Sequence, residues 1–98
     1  MTVKYFDWNE EKNALLLRER GLSFERVVLA IADGGLLDVL EHPNQEKYRG
    51  QRMMIVRIDE HAVLVPFVED AERVFLKTVI PSRKATKKYL GKGDDDAD

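Results

Sequence analysis

Residues 52–80 read RMMIVRIDEHAVLVPFVEDAERVFLKTVI, and this stretch decides the fold. It holds three β-prone runs, Arg52 to Ile58, Ala62 to Val68 and Arg73 to Ile80, joined by the short links DEH and EDAE. Links of this length are typical of hairpins, so the runs predict consecutive antiparallel strands. Pro66 lies inside the second run, and because proline donates no hydrogen bond to a ladder, we expect an edge strand or a bulge there.

Two further runs extend the predicted sheet towards the N-terminus. Leu36 to Glu41 is β-prone, and a loop from His42 to Gln51 separates it from the next run. The loop contains one proline and one glycine, which favour turns. Val3 to Phe6 is a shorter β-prone run. Together the runs predict an antiparallel sheet of four to five strands.

A helix is predicted after the first of these runs. Asp7 is followed three residues later by Glu10, which is the spacing of a capping box at a helix start. The helix should extend from about Asn9 to Arg20. Gly21 ends it, because glycine accepts the left-handed conformation of a helix C-cap.

A second helix should follow at once, with Ser23 as its N-cap. Apolar residues recur at positions i, i+3, i+4 and i+7 and share one face of this helix: Phe24, Val27, Val28 and Ile31. The turn-forming residues Asp33 to Gly35 end it.

A last helix is predicted after Pro81. Ser82 can cap a segment from Arg83 to Leu90, and Gly91 and Gly93 end it. The fold class is therefore α+β, with two N-terminal helices, the antiparallel sheet and a short basic C-terminal helix.

Composition indicates one domain, over residues 1–90. The chain has 98 residues, of which 44% are hydrophobic and 35% charged, as in a globular protein. The formal net charge is −2, but the final GKGDDDAD carries four aspartates and one lysine, so residues 1–90 are slightly basic. Residues 91–98 are too charged to pack, and we expect an acidic disordered tail there.

Several function classes are excluded by what the sequence lacks. It has no cysteine, which rules out disulfides, thiolate zinc sites and cysteine nucleophiles, and fits a reducing cytosol. No apolar run is long enough for a signal peptide or a membrane span, so we expect a cytoplasmic protein with no membrane partner. Glycine-rich phosphate loops and the commoner hydrolase motifs are also missing.

Positive charge is concentrated near the end of the predicted domain. Six basic residues and no acidic one lie between Lys77 and Lys92: Lys77, Arg83, Lys84, Lys87, Lys88 and Lys92. Such a cluster can neutralise the phosphates of a nucleic acid, and we name Lys77, Lys84, Lys87 and Lys88 as candidate RNA contacts. A solvated helix face or a docking surface for a protein partner would have the same composition.

Arg83 stands at the junction of strand and helix. Its guanidinium and the helix amides can jointly hold an anion there. A structural salt bridge to Glu69 or Glu72 is the competing explanation.

The loop after Leu36 to Glu41 offers a varied set of acids, bases and amides. Metal-free RNA cleavage needs a base for the 2′-hydroxyl, cations for the phosphate and an acid for the leaving oxygen. His42 or Glu46 could be the base, and Arg52 or Arg83 the phosphate clamp; a plain turn would also look like this. His42 and His61 lack the local spacing of metal ligands, so we predict no metal and no cofactor.

The order of motifs resembles a known family. FDWNEEK at residues 6–12, RERGLSFE at residues 18–25 and PSRKATKKY at residues 81–89 resemble the BrnT family of toxins, over nearly the whole chain up to Leu90. That family has a W-D-x-x-K start, a K-H-G-x-S-F step between two helices and a closing S-A-R-[KR]-A-[ST] segment. The matching residues are Lys12, Gly21, Ser23, Phe24, Arg83, Lys84, Ala85 and Thr86.

The resemblance implies a function and a set of partners. It implies a RelE-like ribonuclease toxin fold, hydrolysis of RNA that inhibits translation, and neutralisation by a cognate BrnA-like antitoxin in a type II toxin-antitoxin system. Operator DNA would be bound only through the antitoxin. Arg83, and next Arg52, are the residues that the resemblance implies for phosphate binding.

Two departures from the family favour an alternative. The histidine usual before the glycine is Arg20 here, and an asparagine common earlier in the first helix is Leu16. If that histidine serves catalysis in the family, its loss favours a degenerate, non-catalytic toxin that binds its antitoxin and acts as an operon co-repressor.

Overall fold

The computed structural model describes residues 4–91, in which three helices pack against the two faces of a six-stranded sheet. The elements in chain order are β1 (Tyr5–Asp7), α1 (Glu10–Arg20), α2 (Phe24–Ala32), β2 (Leu36–Glu41), β3 (Arg52–Ile58), β4 (His61–Glu69), β5 (Arg73–Leu76), β6 (Ile80–Pro81) and α3 (Arg83–Leu90). The predicted α+β class is confirmed. The acidic residues expected to be disordered lie, from residue 92 onwards, outside the described part.

The sheet has the order β1-β5-β4-β3-β2, and β6 pairs with β4 beside β5. Strands β2 to β5 form the predicted antiparallel meander. Two features differ from the prediction. The run expected from Arg73 to Ile80 divides into β5 and β6, and β1 pairs with β5 in parallel, with Tyr5 opposite Arg73, which makes the sheet mixed.

Pro66 does not lie on an edge strand, because β4 is flanked by β3 on one side and by β5 and β6 on the other. It stands opposite Met53 in an unbroken register with β3. Its carbonyl accepts a hydrogen bond from the Lys77 amide at 2.8 Å, on the side of β5. The Pro66 nitrogen, which has no hydrogen to donate, therefore faces the gap between β5 and β6. No strand hydrogen bond from Pro66 is needed there.

The start of α1 also differs from the prediction. Its N-cap is Asn9, whose side chain accepts a hydrogen bond from the Lys12 amide at 2.9 Å. Asp7 instead ends β1 and holds Arg73 of β5 in an ion pair at 2.9 Å. The predicted caps of the other two helices, Ser23 and Ser82, are confirmed.

The larger core lies between the sheet and the helices α1 and α2. Phe24 and Val27 of α2 are fully buried there, and Leu16 of α1 is 4% exposed. Alternate residues of β3 and β4 face this side: Met54, Val56, Ile58, Val63, Val65 and Phe67. Trp8 stacks on Phe24 with ring centroids 5.6 Å apart, so it is a packing residue.

A smaller core lies on the opposite face of the sheet, beneath α3. It contains Ile55, Ala62 and Ala85, and the partly buried residues packed on it are Leu37, Leu64, Tyr89 and Leu90. The two cores use opposite faces because consecutive residues of a strand point to opposite sides. Helix α3 is thus separated from α1 and α2 by the sheet.

Candidate nucleic-acid interface

Helix α3 is fixed to the sheet at both ends. Ser82 accepts a hydrogen bond from the Ala85 amide at 3.0 Å and so begins the helix. One turn later, the buried Thr86 hydroxyl accepts from the Ala62 amide of β4 at 2.9 Å. At the other end the Tyr89 hydroxyl donates to Asp38 of β2 at 2.7 Å. The helix therefore crosses β4, β3 and β2 in a defined orientation.

This orientation sorts the side chains of α3 into two sets. Ala85, Thr86, Tyr89 and Leu90 face the sheet, at spacings of one, four and five residues. Arg83, Lys84, Lys87 and Lys88 have the same spacings from one another and lie on the opposite side of the helix, where all four are exposed. We refer to these four residues as the cationic face.

Apart from a charge interaction of Lys88 with Asp38, the charges of the cationic face have no acidic partner among the described residues. No acidic residue lies in the first turn of α3, and within residues 4–91 none of the four cations forms an ion pair. Lys88 lies 5.4 Å from the centre of the Tyr89 ring. The pairs Arg83 with Lys87 and Lys84 with Lys88 are like charges at i, i+4, which costs a helix roughly 0.2–0.5 kcal/mol each.

The competing explanation for Arg83 was a salt bridge to Glu69 or Glu72. Glu69 is engaged elsewhere, by Lys4 and by Arg52, whose guanidinium lies 2.5 Å from the carboxylate. The hydrogen bond from Lys4 is the largest of the causes that lower the pKa of Glu69. Glu69 therefore does not neutralise Arg83.

A second basic and aromatic group lies on the same side of the sheet as α3. Residues 73, 75 and 77 alternate with the buried Leu76 and share one face of the chain at β5. The half-buried Phe75 ring has Arg73 5.3 Å from its centroid on β5 and the exposed Lys77 5.8 Å away. Aromatic rings between cations are the arrangement on which single-stranded bases stack. Sequence analysis identified Lys77 but missed Arg73 and Phe75, although their period of two was readable.

Arg52 lies on the other face of the sheet. It begins β3 opposite Phe67, and Phe67 belongs to the core under α1 and α2. Its guanidinium is 5.3 Å from the centre of the Phe67 ring and is ion-paired to Glu69. Arg83 is near the far end of β3, since the neighbouring Ser82 amide binds the Ala62 carbonyl and Ala62 pairs with Arg57. The distance from Arg52 to Arg57 is about 17 Å along the strand.

His42 and Glu46 lie in the loop next to Arg52. The His42 ring lies against that of Tyr48 in a tilted arrangement, with centroids 4.3 Å apart, and its Nδ1 accepts a hydrogen bond from the Asn44 amide at 3.0 Å. Glu46 is exposed. The structure thus places the two candidate bases near Arg52 and away from Arg83. The two candidate phosphate clamps do not converge, and neither base lies beside the cationic face.

Metal ligands do not assemble in the described residues. His42 is the first residue of the β2–β3 loop, whereas His61 begins β4 at the other end of the sheet. No group of three or more potential ligands is found within residues 4–91. No helix in that part of the chain is long and apolar enough to cross a bilayer.

A cleft of about 740 Å³ lies beside the C-terminal half of α2. Arg26 and Arg57 line it, and both are tied to Asp59, Arg26 by an ion pair at 2.7 Å and Arg57 by a hydrogen bond to the backbone carbonyl at 2.9 Å. Sequence analysis did not identify this cleft. Its two cations are already engaged, so it offers less free positive charge than the cationic face does.

Comparison with known proteins agrees with this architecture at the level of the fold. No protein-family model matches the chain, and no curated protein does. The chain is similar to the crystal structure of the Brucella abortus ribonuclease toxin BrnT, with a TM-score of 0.62. The likeness covers 82% of this chain and 97% of that one, at 16% sequence identity. The fold implied by the sequence resemblance is thus confirmed: the chain has a BrnT-like fold.

Proposed function

We propose that the chain is the toxin of a type II toxin-antitoxin system, an endonuclease that cleaves RNA without a metal ion and so arrests translation. The cationic face of α3 is the observation that carries this proposal. It offers four positive charges in one row, none of them ion-paired within residues 4–91, on a fold like that of a ribonuclease toxin. Phosphate neutralisation by such a row supplies much of the affinity of a protein for nucleic acid.

The fold restricts how RNA would lie on the protein. Lys77 and the Phe75 ring are on the same side of the sheet as α3, so a single strand bound there meets cations from the helix and a stacking platform from β5. Arg83 begins the helix and remains the principal candidate for the phosphate at which the bond breaks. His42, Glu46 and Arg52 would take part only if the same RNA also reaches the β2–β3 loop.

A protein partner completes the proposal. A cognate, BrnA-like antitoxin would neutralise the toxin, and operator DNA would be bound only through that antitoxin. The proposal is consistent with a cytoplasmic protein that needs no cofactor.

Induced expression in a bacterium tests the proposal. The chain alone should arrest growth and cause total RNA to decay, and co-expression of its antitoxin should relieve both effects. Arg83→Gln should lower the rate of RNA cleavage about 10²-fold, the usual loss when one group that stabilises transition-state charge is removed. Arg18→Gln is the matched control, because Arg18 is also an exposed arginine but lies on α1, across the sheet.

The outcomes test the role of each candidate residue as well as the nuclease function. A folded Arg83→Gln variant with undiminished toxicity would remove Arg83 from the site. Loss of RNA decay in His42→Ala or Glu46→Ala, with binding of RNA retained, would assign the base to the loop. Normal growth and intact RNA with the unaltered chain would overturn the nuclease proposal.

A second function is favoured by the separation of the predicted catalytic residues. Arg52 is ion-paired and the His42 Nδ1 is occupied by a backbone amide, and both lie away from Arg83. A degenerate toxin that binds its antitoxin and acts as an operon co-repressor needs no converging site. It predicts a stable complex with the antitoxin and no RNA cleavage.

A further inference from the structure

The cationic face is followed directly in the sequence by an acidic segment. After Gly91, which caps α3, the chain reads KGDDDAD, so four aspartates lie within the five residues Asp94 to Asp98. We propose that this segment docks on the cationic face of its own chain and competes there with nucleic acid. The inference rests on the proposed function for its consequence, but docking itself can be measured without RNA.

Charge complementarity is the first argument. The cationic face presents four cations, and within residues 4–91 no carboxylate pairs with any of them. The acidic segment supplies four carboxylates. Three other cations on the molecule already have partners: Lys4 and Arg52 share Glu69, and Arg26 binds Asp59. The cationic face brings four exposed cations together on one short helix next to the acidic segment, and it is therefore the acceptor that this segment fits best.

Reach is the second argument. Helix α3 has eight residues and is about 12 Å long. Gly91 has φ 66°, the left-handed conformation by which a chain turns away from a helix axis. Asp94 is three residues beyond Gly91 and Asp98 seven, which gives reaches of up to about 10 and 24 Å. The segment can therefore run back along the whole cationic face as far as Arg83.

The strength of docking follows from its intramolecular nature. A short linker gives the segment an effective concentration in the millimolar range beside α3. Exposed ion pairs are individually weak and are screened by salt, so docking is reversible. If the face is free in only a fraction of molecules, the apparent dissociation constant of any competing polyanion rises by the inverse of that fraction. We expect docking to raise this apparent dissociation constant about two- to tenfold.

Nuclear magnetic resonance measures docking directly. The full chain is compared with the tail-neutral variant D94N/D95N/D96N/D98N. The backbone amides of residues 83–90 should differ in chemical shift between the two proteins at about 50 mM salt, and the differences should vanish at about 1 M, where the screening length falls to 3 Å. Equal shifts at low salt would overturn the proposal.

Competition is measured with a 2′-O-methyl oligouridine, which cannot be cleaved through its 2′-oxygen. The tail-neutral variant should bind it about two- to tenfold more tightly than the full chain. In a K84Q/K87Q/K88Q background the same tail substitutions should give no such gain, because the docking surface is gone. A gain that persists in that background would show a general charge effect and overturn the proposal.

A matched control separates docking from net charge. The variant E10Q/E11Q/E19Q/E72Q neutralises the same number of exposed carboxylates away from α3. It should not reproduce the gain in affinity. If amide shifts reveal docking and no protein binds the oligonucleotide, the docking stands, while the competition and the nucleic-acid role proposed for the cationic face are overturned.

Discussion

The side chain of Asn13 connects α1 to α2 at a single buried position. It is 8% exposed, donates to the Glu25 carboxylate at 2.7 Å and accepts from the Phe24 amide at 2.7 Å. Phe24 is fully buried at the start of α2, so the amide of Phe24 has no access to water as an alternative partner. Sequence analysis passed over Asn13 because a polar residue in a helix is ordinarily exposed.

We therefore expect Asn13→Ala to lower the free energy of unfolding by about 1–3 kcal/mol, the cost of leaving buried polar groups unpaired. Urea denaturation measures the change. Asn44→Ala is the control: the Asn44 side chain also accepts a backbone hydrogen bond, from the Lys47 amide at 3.1 Å, but this bond is exposed, so water can replace it and the loss should be less than about 1 kcal/mol. Equal losses in the two variants would show that the Asn13 hydrogen bonds do not support the helix pair.

The hydrogen bond between Tyr89 and Asp38 links stability to pH. It is the main cause that lowers the pKa of Asp38, and the same bond is the main cause that raises the pKa of Tyr89. A lowered carboxyl pKa stabilises the fold above the unfolded value, about 3.9, and this stability is lost as the pH falls through the folded value. A raised tyrosine pKa stabilises the fold at pH values below the unfolded pKa, about 10. This stability is lost as the pH rises through the pKa of the folded state.

Tyr89→Phe should therefore lower the free energy of unfolding at neutral pH. It should also make this free energy depend less steeply on pH, both below about pH 4 and above about pH 10. Urea midpoints from acid to alkaline pH test this. Tyr5→Phe is the control, because the exposed Tyr5 hydroxyl forms no hydrogen bond within residues 4–91. A Tyr89→Phe curve parallel to that of the unaltered chain would contradict the expectation.

At the scale of elements, Gly35 joins α2 to β3. Its amide binds the Ala30 carbonyl at 2.7 Å and its carbonyl accepts from the Arg57 amide at 2.8 Å. A Cβ at this position would lie 2.8 Å from the Ala30 oxygen and 2.9 Å from the Arg57 oxygen. Both neighbours are backbone atoms, which can move only if α2 and β3 separate.

Gly35→Ala should therefore lower the free energy of unfolding by about 1–3 kcal/mol through steric overlap. Gly50→Ala is an informative comparison: the site has open space, but its φ of 76° gives an alanine about 1–2 kcal/mol of backbone strain. A Gly35→Ala protein as stable as the unaltered chain would show that the junction is looser than described. Thermal unfolding, monitored by circular dichroism, measures the stability of both variants.

The elements also show what sequence patterns can predict. The bounds of β2 and β3 and the caps of α2 and α3 agree with prediction because they depend on residues close in sequence. Asp7 has the local pattern of an N-cap, but Arg73, 66 residues away, holds it in β1. Arg52 and Arg83 looked equivalent as phosphate clamps until strand register placed them on opposite faces of the sheet.

At the scale of the whole molecule, the sheet separates two electrostatic environments. On one side Arg52 and Lys4 are both ion-paired to Glu69, and on the other the four charges of the cationic face form no ion pair within residues 4–91. The modest net charge of −2 conceals this division. The sequence thus shows the positive charge only as a local cluster of basic residues. The fold determines which of these residues lie on one surface and can act together.

The salt dependence of binding reports how many of these charges contact phosphate. For single-stranded nucleic acid, log K against log salt has a slope of about −0.7 per phosphate neutralised, so four contacts give roughly −2.8. The K84Q/K87Q/K88Q variant loses three of these contacts, so its slope should be shallower by about 2.1. Fluorescence titrations of an oligonucleotide at several salt concentrations test this, with Arg18→Gln as the control that keeps the steep slope. An unchanged slope in the triple variant would place the binding site elsewhere.

The parallel pairing of β1 with β5 has a consequence for how the protein is made. Tyr5 finds its place opposite Arg73, 68 positions later in the chain, whereas β2, β3 and β4 pair with strands close by. Closing so long a loop costs more entropy than forming a hairpin, and such contacts are generally slow to form. On the ribosome β1 emerges before β5 and cannot pair with it until β5 has been synthesised. At this edge of the sheet, the strand that is synthesised earlier therefore pairs only after the strand that is synthesised later.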